Sequence, residues 1–410
     1  MSNSNSIENA SLPWHEFPTL DLFHGDKHQA FFKKQRQENP IFLCRNHPFY
    51  GSFWNVTRYE DIAYVDTHHD IFSSEGSILI EDQDDDFPLP MFIAMDRPDH
   101  TKYRESVAPA FSSSVMNEFS SLIQSRTEQT LDALPIGQAF DWVEKVSVEL
   151  TSQMLATLFG FPFEHRHKLI RWSNLATMTD EDVNAPDFSQ RRQSELMACL
   201  KAFTELKEQK RGQAQSGDLI SMLAHSPHTQ SMLPSELLGN VVLLLVAGND
   251  TTRNSMTGGV YALNQFPKQY QLLKQDPSRV EQLVPEIIRW QTPLAYMRRT
   301  AKTDTQLGGK TIRAGEKVVM WYASGNCDES VFTNGDEIDI TRDRAQLQKH
   351  LAFGTGIHRC IGKRLAELQL KILWQQLLER FSHIEVVAPV SWINSNFVKG
   401  YSSMQVILHK

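Results

Sequence analysis

The strongest feature of the hydrophobic pattern is the segment Asn240 to Ala247, apolar at every position after the first. Ser235 is placed to cap a helix here and Phe266-Pro267 to end it. Roughly 30 residues at 1.5 Å rise make a rod of about 45 Å, long enough to cross the molecule. Helical patterns extend from about Thr101 to Leu283, with interruptions around Thr179–Phe188 and Gly212–Gly217. Ahead of them, Ser52 to Thr57 reads as a strand and Tyr59 to Val65 as the start of a helix. After Pro293 the texture changes to strands at Met297–Ala301 and Lys317–Tyr322, with Gly308-Gly309 as a hairpin turn between them. Strands return at Ile384–Val387 and Met404–Leu408. The pattern predicts a mainly α protein with a minor β region. With no internal repeat or linker, residues 13–410 are expected to form a single domain behind a disordered tail at 1–12. A long irregular stretch, Ser73 to Pro90, is of the length of a lid or binding loop. Its acidic cluster (Glu81, Asp82, Asp84, Asp85, Asp86) reads as solvated charge.

Composition changes this picture little. At 410 residues the chain can bury a large core, and its net charge of -8 argues against general nucleic-acid binding. Four cysteines (Cys44, Cys199, Cys327, Cys360) are scattered without CxxC pairs, which fits a reducing cytoplasm and no disulfide framework. The polar start, Met1 to Ala10, does not read as a signal peptide. No run approaches the roughly 18 apolar residues a membrane span needs. A soluble cytoplasmic protein without a membrane span is expected.

Chemistry concentrates where a glycine-rich loop meets a helical pattern: His350-Leu351-Ala352-Phe353-Gly354-Thr355-Gly356-Ile357-His358-Arg359-Cys360-Ile361-Gly362. Glycines at 354, 356 and 362 allow sharp turns and close approach to a flat partner. Cys360 falls just before a helix N-terminus, where thiolate is favoured over thiol. Alone, such a cysteine is a metal ligand, a nucleophile or an inert core residue. The spacing Phe353, Gly356, Cys360, Gly362 resembles the haem-binding signature of the cytochromes P-450, in which the cysteine is the axial iron ligand.

Further stretches carry the same resemblance. Asp250 and Thr251 fall midway along the long helix, a costly place unless satisfied or used. An isolated pair of this kind reads as a threonine bonded back to its own turn beside a salt-bridged aspartate. As part of Ala247-Gly248-Asn249-Asp250-Thr251 it is similar to the family's oxygen-activating stretch, which implies a catalytic role in proton delivery. Glu286 and Arg289, with Arg342, resemble the family's structural Glu–Arg–Arg cluster. His100 and Arg104 share one helix face. By resemblance they bind haem propionates together with Arg299 and His358, while Phe353, Gly354, Cys360 and Gly362 surround the cofactor. Lys349, His350, Arg359, Lys363 and Arg364 reverse the overall charge locally, either as solvated residues or as a docking patch for an acidic electron carrier.

The resemblance sharpens in Gly248 to Gly259, Met297 to Ala301, Val318 to Tyr322 and Asn396 to Tyr401, which look like the soluble bacterial alkane and fatty-acid terminal hydroxylases. It implies a P-450 fold with the long helix over haem b. It also implies dioxygen as co-substrate and electrons from NAD(P)H through a ferredoxin reductase and a [2Fe-2S] ferredoxin. A monomer is expected. Family position marks Ile78, Leu79, Leu89, Met91 and Leu244 as pocket walls, with Ala247, Leu294, Ala295 and Phe397. The alternatives are another apolar substrate (a terpenoid or steroid side chain), a peroxide-driven enzyme, or a non-catalytic haem-thiolate protein. Two departures stand out: Cys327 follows Asn326 where the family commonly has Arg, and Phe332-Thr333-Asn334-Gly335 lacks the usual proline. Both bear on how the segment before the cysteine loop packs.

Overall fold

A computed structural model of the chain describes residues 11–12, 19–25, 27–83, 86–177 and 187–410. Of the tail read over 1–12, residues 1–10 lie outside these. Ser11 and Leu12 pair as a parallel strand with Leu43 and Cys44. Asp84 and Asp85 also lie outside the described residues, as does all but the end of the break at Thr179–Phe188.

The long helix is Pro234–Gln265, 32 residues, and its face from Leu237 to Leu245 is buried. Its start differs from expectation. Pro234, whose ring fixes the helical φ, takes the first position, which puts Ser235 inside the first turn. The end is closed instead by Glu236, whose carboxylate accepts the Leu233 N–H at 2.8 Å. Pro267, unable to continue the hydrogen-bond ladder, opens the next helix, Pro267–Gln275. Helices Glu149–Phe159, His167–Thr177 and Phe188–Arg211 pack against the long helix on one side and Val280–Gln291 on the other.

The main sheet has the strand order Ser11–Leu12, Ile41–His47, Gly51–Val56, Lys317–Met320, Met297–Ala301, Phe72–Ser73. Met297 pairs with Met320 and Thr300 with Lys317. The strand expected to reach Tyr322 ends at Met320, and Tyr322–Gly325 is a short helix. The Gly308-Gly309 turn joins a small separate hairpin, Thr305–Leu307 with Lys310–Ile312. His383–Val386 and Gln405–His409 pair as a C-terminal ladder extended by Ala139–Asp141.

The stretch from Ser73 to Pro90 is irregular but not loose. Asp82, although its side chain is exposed as expected, is ion-paired with Arg298 at 2.8 Å and with Lys317 at 2.6 Å. Arg298 also donates to the Glu81 carbonyl at 3.1 Å. Further along, Asp96 accepts from Ser73 Oγ at 2.8 Å and pairs with Lys302 at 3.1 Å.

Beneath the cysteine loop lies a buried polar hub. Glu286 holds Arg289 through two hydrogen bonds, at 2.8 and 2.7 Å, and Arg342 at 3.1 Å. Arg289 in turn donates to the carbonyls of Asn326 and Gly335, both at 2.6 Å, and of Glu337 at 2.7 Å. Each charge is thus paired and hydrogen-bonded, the condition under which burial is tolerated. The two departures lie beside this hub, next to the Asn326 and Gly335 carbonyls it holds. Arg36, from the helix Lys27–Glu38, reaches the carbonyls of Ser324 and Cys327, both at 3.1 Å, beside the position where the family's arginine is missing. Asn334 turns the chain at φ 51 without a proline.

Candidate functional site

Cys44, Cys199 and Cys327 are buried, whereas Cys360 is exposed, and the surface it exposes belongs to an internal cavity. The loop reaches this point through left-handed turns at Gly354 (φ 63) and Gly356 (φ 61). Gly362 has an ordinary φ of -85 and lies beside the sulfur, where a Cβ would make only ordinary contact, 3.9 Å from Sγ. The helix Lys363–Arg380 starts directly after it. Enclosure by protein pushes the Cys360 thiol upward, and the N–H groups of Gly362 and Lys363 with Arg104 pull the other way without prevailing. The helix N-terminus alone therefore does not make the thiolate expected from its position. A metal ion at the sulfur would.

The long helix forms the opposite wall, with Leu243, Leu244, Ala247, Gly248 and Thr251 facing the cavity. Phe353, Gly354, Ile361 and Leu365 close the side next to Cys360. Arg104, Arg299 and His358 gather polar groups at one edge. Behind His358 stands His100, with ring centroids 4.1 Å apart. None of the four ring nitrogens of this pair meets a partner among the described residues. Burial first, and then the nearby arginines, push His100 down to about 4 and His358 down to about 2, so both are neutral donors awaiting an acceptor. A bare cysteine sulfur, apolar faces and an edge of guanidinium and orphaned imidazole groups fit a flat, carboxylate-edged metal macrocycle. The expected set of His100, Arg104, Arg299, His358 and Cys360 is brought together.

Asp250 and Thr251 are not brought together. Thr251 borders the cavity and its hydroxyl donates to the Ala247 carbonyl at 2.6 Å. Asp250 is fully buried on another face of the helix, ion-paired with Arg253 at 2.5 Å and accepting from Ser173 at 3.1 Å. Burial raises its carboxyl above the ordinary carboxylate range, against the pull of Arg253.

Of the expected pocket walls, Leu244, Ala247 and Leu294 border the cavity. Ile78, Leu79, Leu89, Met91, Ala295 and Phe397 do not. The irregular stretch is set by Phe92, whose N–H is held by Asn240 of the long helix at 3.0 Å, and this turns Phe92 and Ile93 inward in place of Leu89 and Met91. Arg298 draws the backbone around Leu79 to itself, and Ala295 is locked in the body by its N–H bond to the Phe397 carbonyl at 2.8 Å. Among the basic residues near the loop, Lys349, Arg359 and Arg364 are exposed and Lys363 is half-buried, pairing with Glu367 at 3.6 Å. His350 does not belong to that surface. It is buried, and burial followed by Lys363 pushes it down to about 3.

Asp66 and Tyr322 line the cavity without having been expected. A signal for Asp66 exists: it continues the inward stripe Ile62, Val65, Asp66 of the helix Tyr59–Thr67, where an apolar residue belongs.

The family model described as cytochrome P450 matches residues 13–405. Linalool 8-monooxygenase of Pseudomonas putida is 34% identical over 406 residues, covering 95% of this chain and 97% of that one. The structure of cytochrome P450-153 from Novosphingobium aromaticivorans superposes with a TM-score of 0.89 at 43% identity, over 97% of this chain and 99% of that one. CYP153D17 from Sphingomonas sp. PAMC 26605 gives 0.90 at 44% identity, over 96% and 98%.

Proposed function

The chain belongs to the cytochrome P450 family and is a haem-dependent monooxygenase; from that premise we propose that it hydroxylates the terminal carbon of medium-chain n-alkanes or fatty acids. Haem b, when bound, would supply the chemistry the side chains lack: one-electron redox and activation of dioxygen, with one oxygen atom going into a substrate C–H bond and the other leaving as water. Cys360 is assigned as the iron ligand, and His100, Arg104, Arg299 and His358 as holders of the propionates. Thr251 is assigned to proton delivery at the cavity, with the buried Asp250 behind it as the reserve. The electrons are assigned to a [2Fe-2S] ferredoxin, reduced from NAD(P)H by its reductase and docking on Lys349, Arg359, Lys363 and Arg364. We place the enzyme in the cytoplasm as a monomer; among the described residues no helix is long and apolar enough to cross a membrane.

The observation that carries the substrate class is the wall above Cys360. Phe92, Ile93, Leu243, Leu244, Ala247 and Leu294 offer no hydrogen-bonding side chain, so binding there rests on burial alone. At about 0.8 kcal/mol per CH₂, eight carbons give roughly 6 kcal/mol, an affinity of tens of micromolar. Attack at a terminal methyl opposes intrinsic C–H reactivity, so the wall must hold that methyl in place. A terpenoid is the second reading, favoured by the similarity to a linalool 8-monooxygenase. Spectral titration with alkanes, fatty acids and terpenoids of graded length, followed by product analysis, tests both. Affinity rising with chain length and a terminal alcohol product support the proposal; tight binding of terpenoids alone sinks it.

A further inference from the structure

Asp66 is the one carboxylate bordering the cavity among the described residues, and it is 3% exposed. Its Oδ1 accepts from Arg299 Nη2 at 2.8 Å. Its Oδ2 accepts from Tyr322 at 3.0 Å, from the Thr355 N–H at 2.7 Å and from Thr355 Oγ1 at 3.1 Å. One side chain therefore ties the helix Tyr59–Thr67 to the strand Met297–Ala301, to the short helix at Tyr322 and to the cysteine loop. The loop's approach is close: Gly356 is left-handed, and a Cβ there would collide with the Asp66 carbonyl oxygen. Every one of these contacts is donated to the carboxylate, so both of its oxygens are engaged as acceptors. In a water-excluded pocket its field on a neighbouring redox centre is weakly screened.

We infer that Asp66 is a positioning residue for the cofactor's polar edge: it aims the Arg299 guanidinium into the cavity, and its fixed negative charge holds the iron's reduction potential down. The inference rests on the haem reading of the same cavity. Among the described residues Arg299 has no second carboxylate partner, only the carbonyl of Arg298 at 2.9 Å, so its direction depends on Asp66. The charge and the tie are separable, because Asp66→Asn keeps the shape and Tyr322→Phe keeps the charge.

The test measures the reduction potential of the haem-loaded protein and the rate of haem transfer to apomyoglobin. Asp66→Asn should move the potential to more positive values and speed haem loss by about tenfold or more, as expected for a lost charged hydrogen bond. Asp66→Glu should return the potential toward wild type. Tyr322→Phe leaves the carboxylate less neutralised and should move the potential the opposite way, to more negative values. Unchanged potentials, or shifts of reversed sign, overturn the inference. So does faster haem loss at unchanged potential, which would make Asp66 a structural tie only. Should Asp66→Asn yield no haem-loaded protein, the sign of the Tyr322→Phe shift decides. Wild-type protein that binds no haem would instead overturn the cofactor reading itself.

Discussion

The backbone N–H of Phe92 and the side-chain oxygen of Asn240 meet in a buried hydrogen bond of 3.0 Å, which fixes the substrate-side loop to the long helix. Asn240 also bonds back to the Glu236 carbonyl at 2.8 Å, and at the adjacent Gly239 a Cβ would collide with the Pro90 carbonyl oxygen. The loop thus lies directly on the helix, and Phe92 overhangs the cavity. Asn240→Leu strands the Phe92 N–H at a cost of about 1–3 kcal/mol. The loop should loosen and the share of terminal alcohol from a linear alkane should fall. Product ratios by gas chromatography check this; a ratio equal to wild type would refute it.

Cys360→Ser should remove the red-shifted absorbance of the reduced carbon monoxide complex, because the thiolate ligand is gone. The folded state should persist, since the sulfur faces the cavity and not the core. Absorbance and circular dichroism on one sample separate the two effects.

Thr251 presents the one threonine hydroxyl of the Ala247–Thr251 segment to the cavity, so Thr251→Ala should lower product formed per NADH consumed by about tenfold or more. Electron uptake should continue. A peroxide-driven enzyme would give unchanged yields with peroxide and no dependence on this residue.

Arg289→Ala leaves Glu286 charged and buried and three carbonyls unpaired, costing about 3–5 kcal/mol. Little haem-loaded protein should be recovered. Arg342→Ala removes fewer bonds and should give folded protein with a lower thermal midpoint. Haem content per chain and melting curves provide the comparison.

His350 is neutral in the fold, with its pKa pushed down to about 3, and in the unfolded chain it titrates near 6.5. Between these values the unfolded chain binds a proton that the folded chain does not. This one group therefore lowers stability by about 1.4 kcal/mol for each unit of falling pH, and imposes no such loss above the unfolded value. His350→Leu should flatten the acid limb of the stability profile by one proton, read from denaturant midpoints at graded pH.

The helical body was legible from apolar runs, and the cluster of Cys360, His100, Arg104, Arg299 and His358 from motifs that resemble one family, since each motif is short and local. The substrate wall was not. Whether Leu89 and Met91 or Phe92 and Ile93 face inward depends on a bond to Asn240, which is remote in sequence. The role of Asp66 escaped for the same reason, since its three partner residues come from three later segments. Asp250 and Thr251 are adjacent in sequence, yet a helix turns neighbours by about 100°, so adjacency could not say that both face one cavity.

Arg36 lies 288 residues before Ser324, yet its guanidinium supports the stretch that leads into the cysteine loop. During synthesis that arginine emerges long before any of its carbonyl partners, and the partners leave the ribosome into a site still lacking its support if the first helix has strayed. Settling of the segment before the cysteine loop is therefore coupled to a helix far earlier in the chain. A truncation that removes the helix Lys27–Glu38 would be felt at the cysteine loop, more than 280 residues further along the chain.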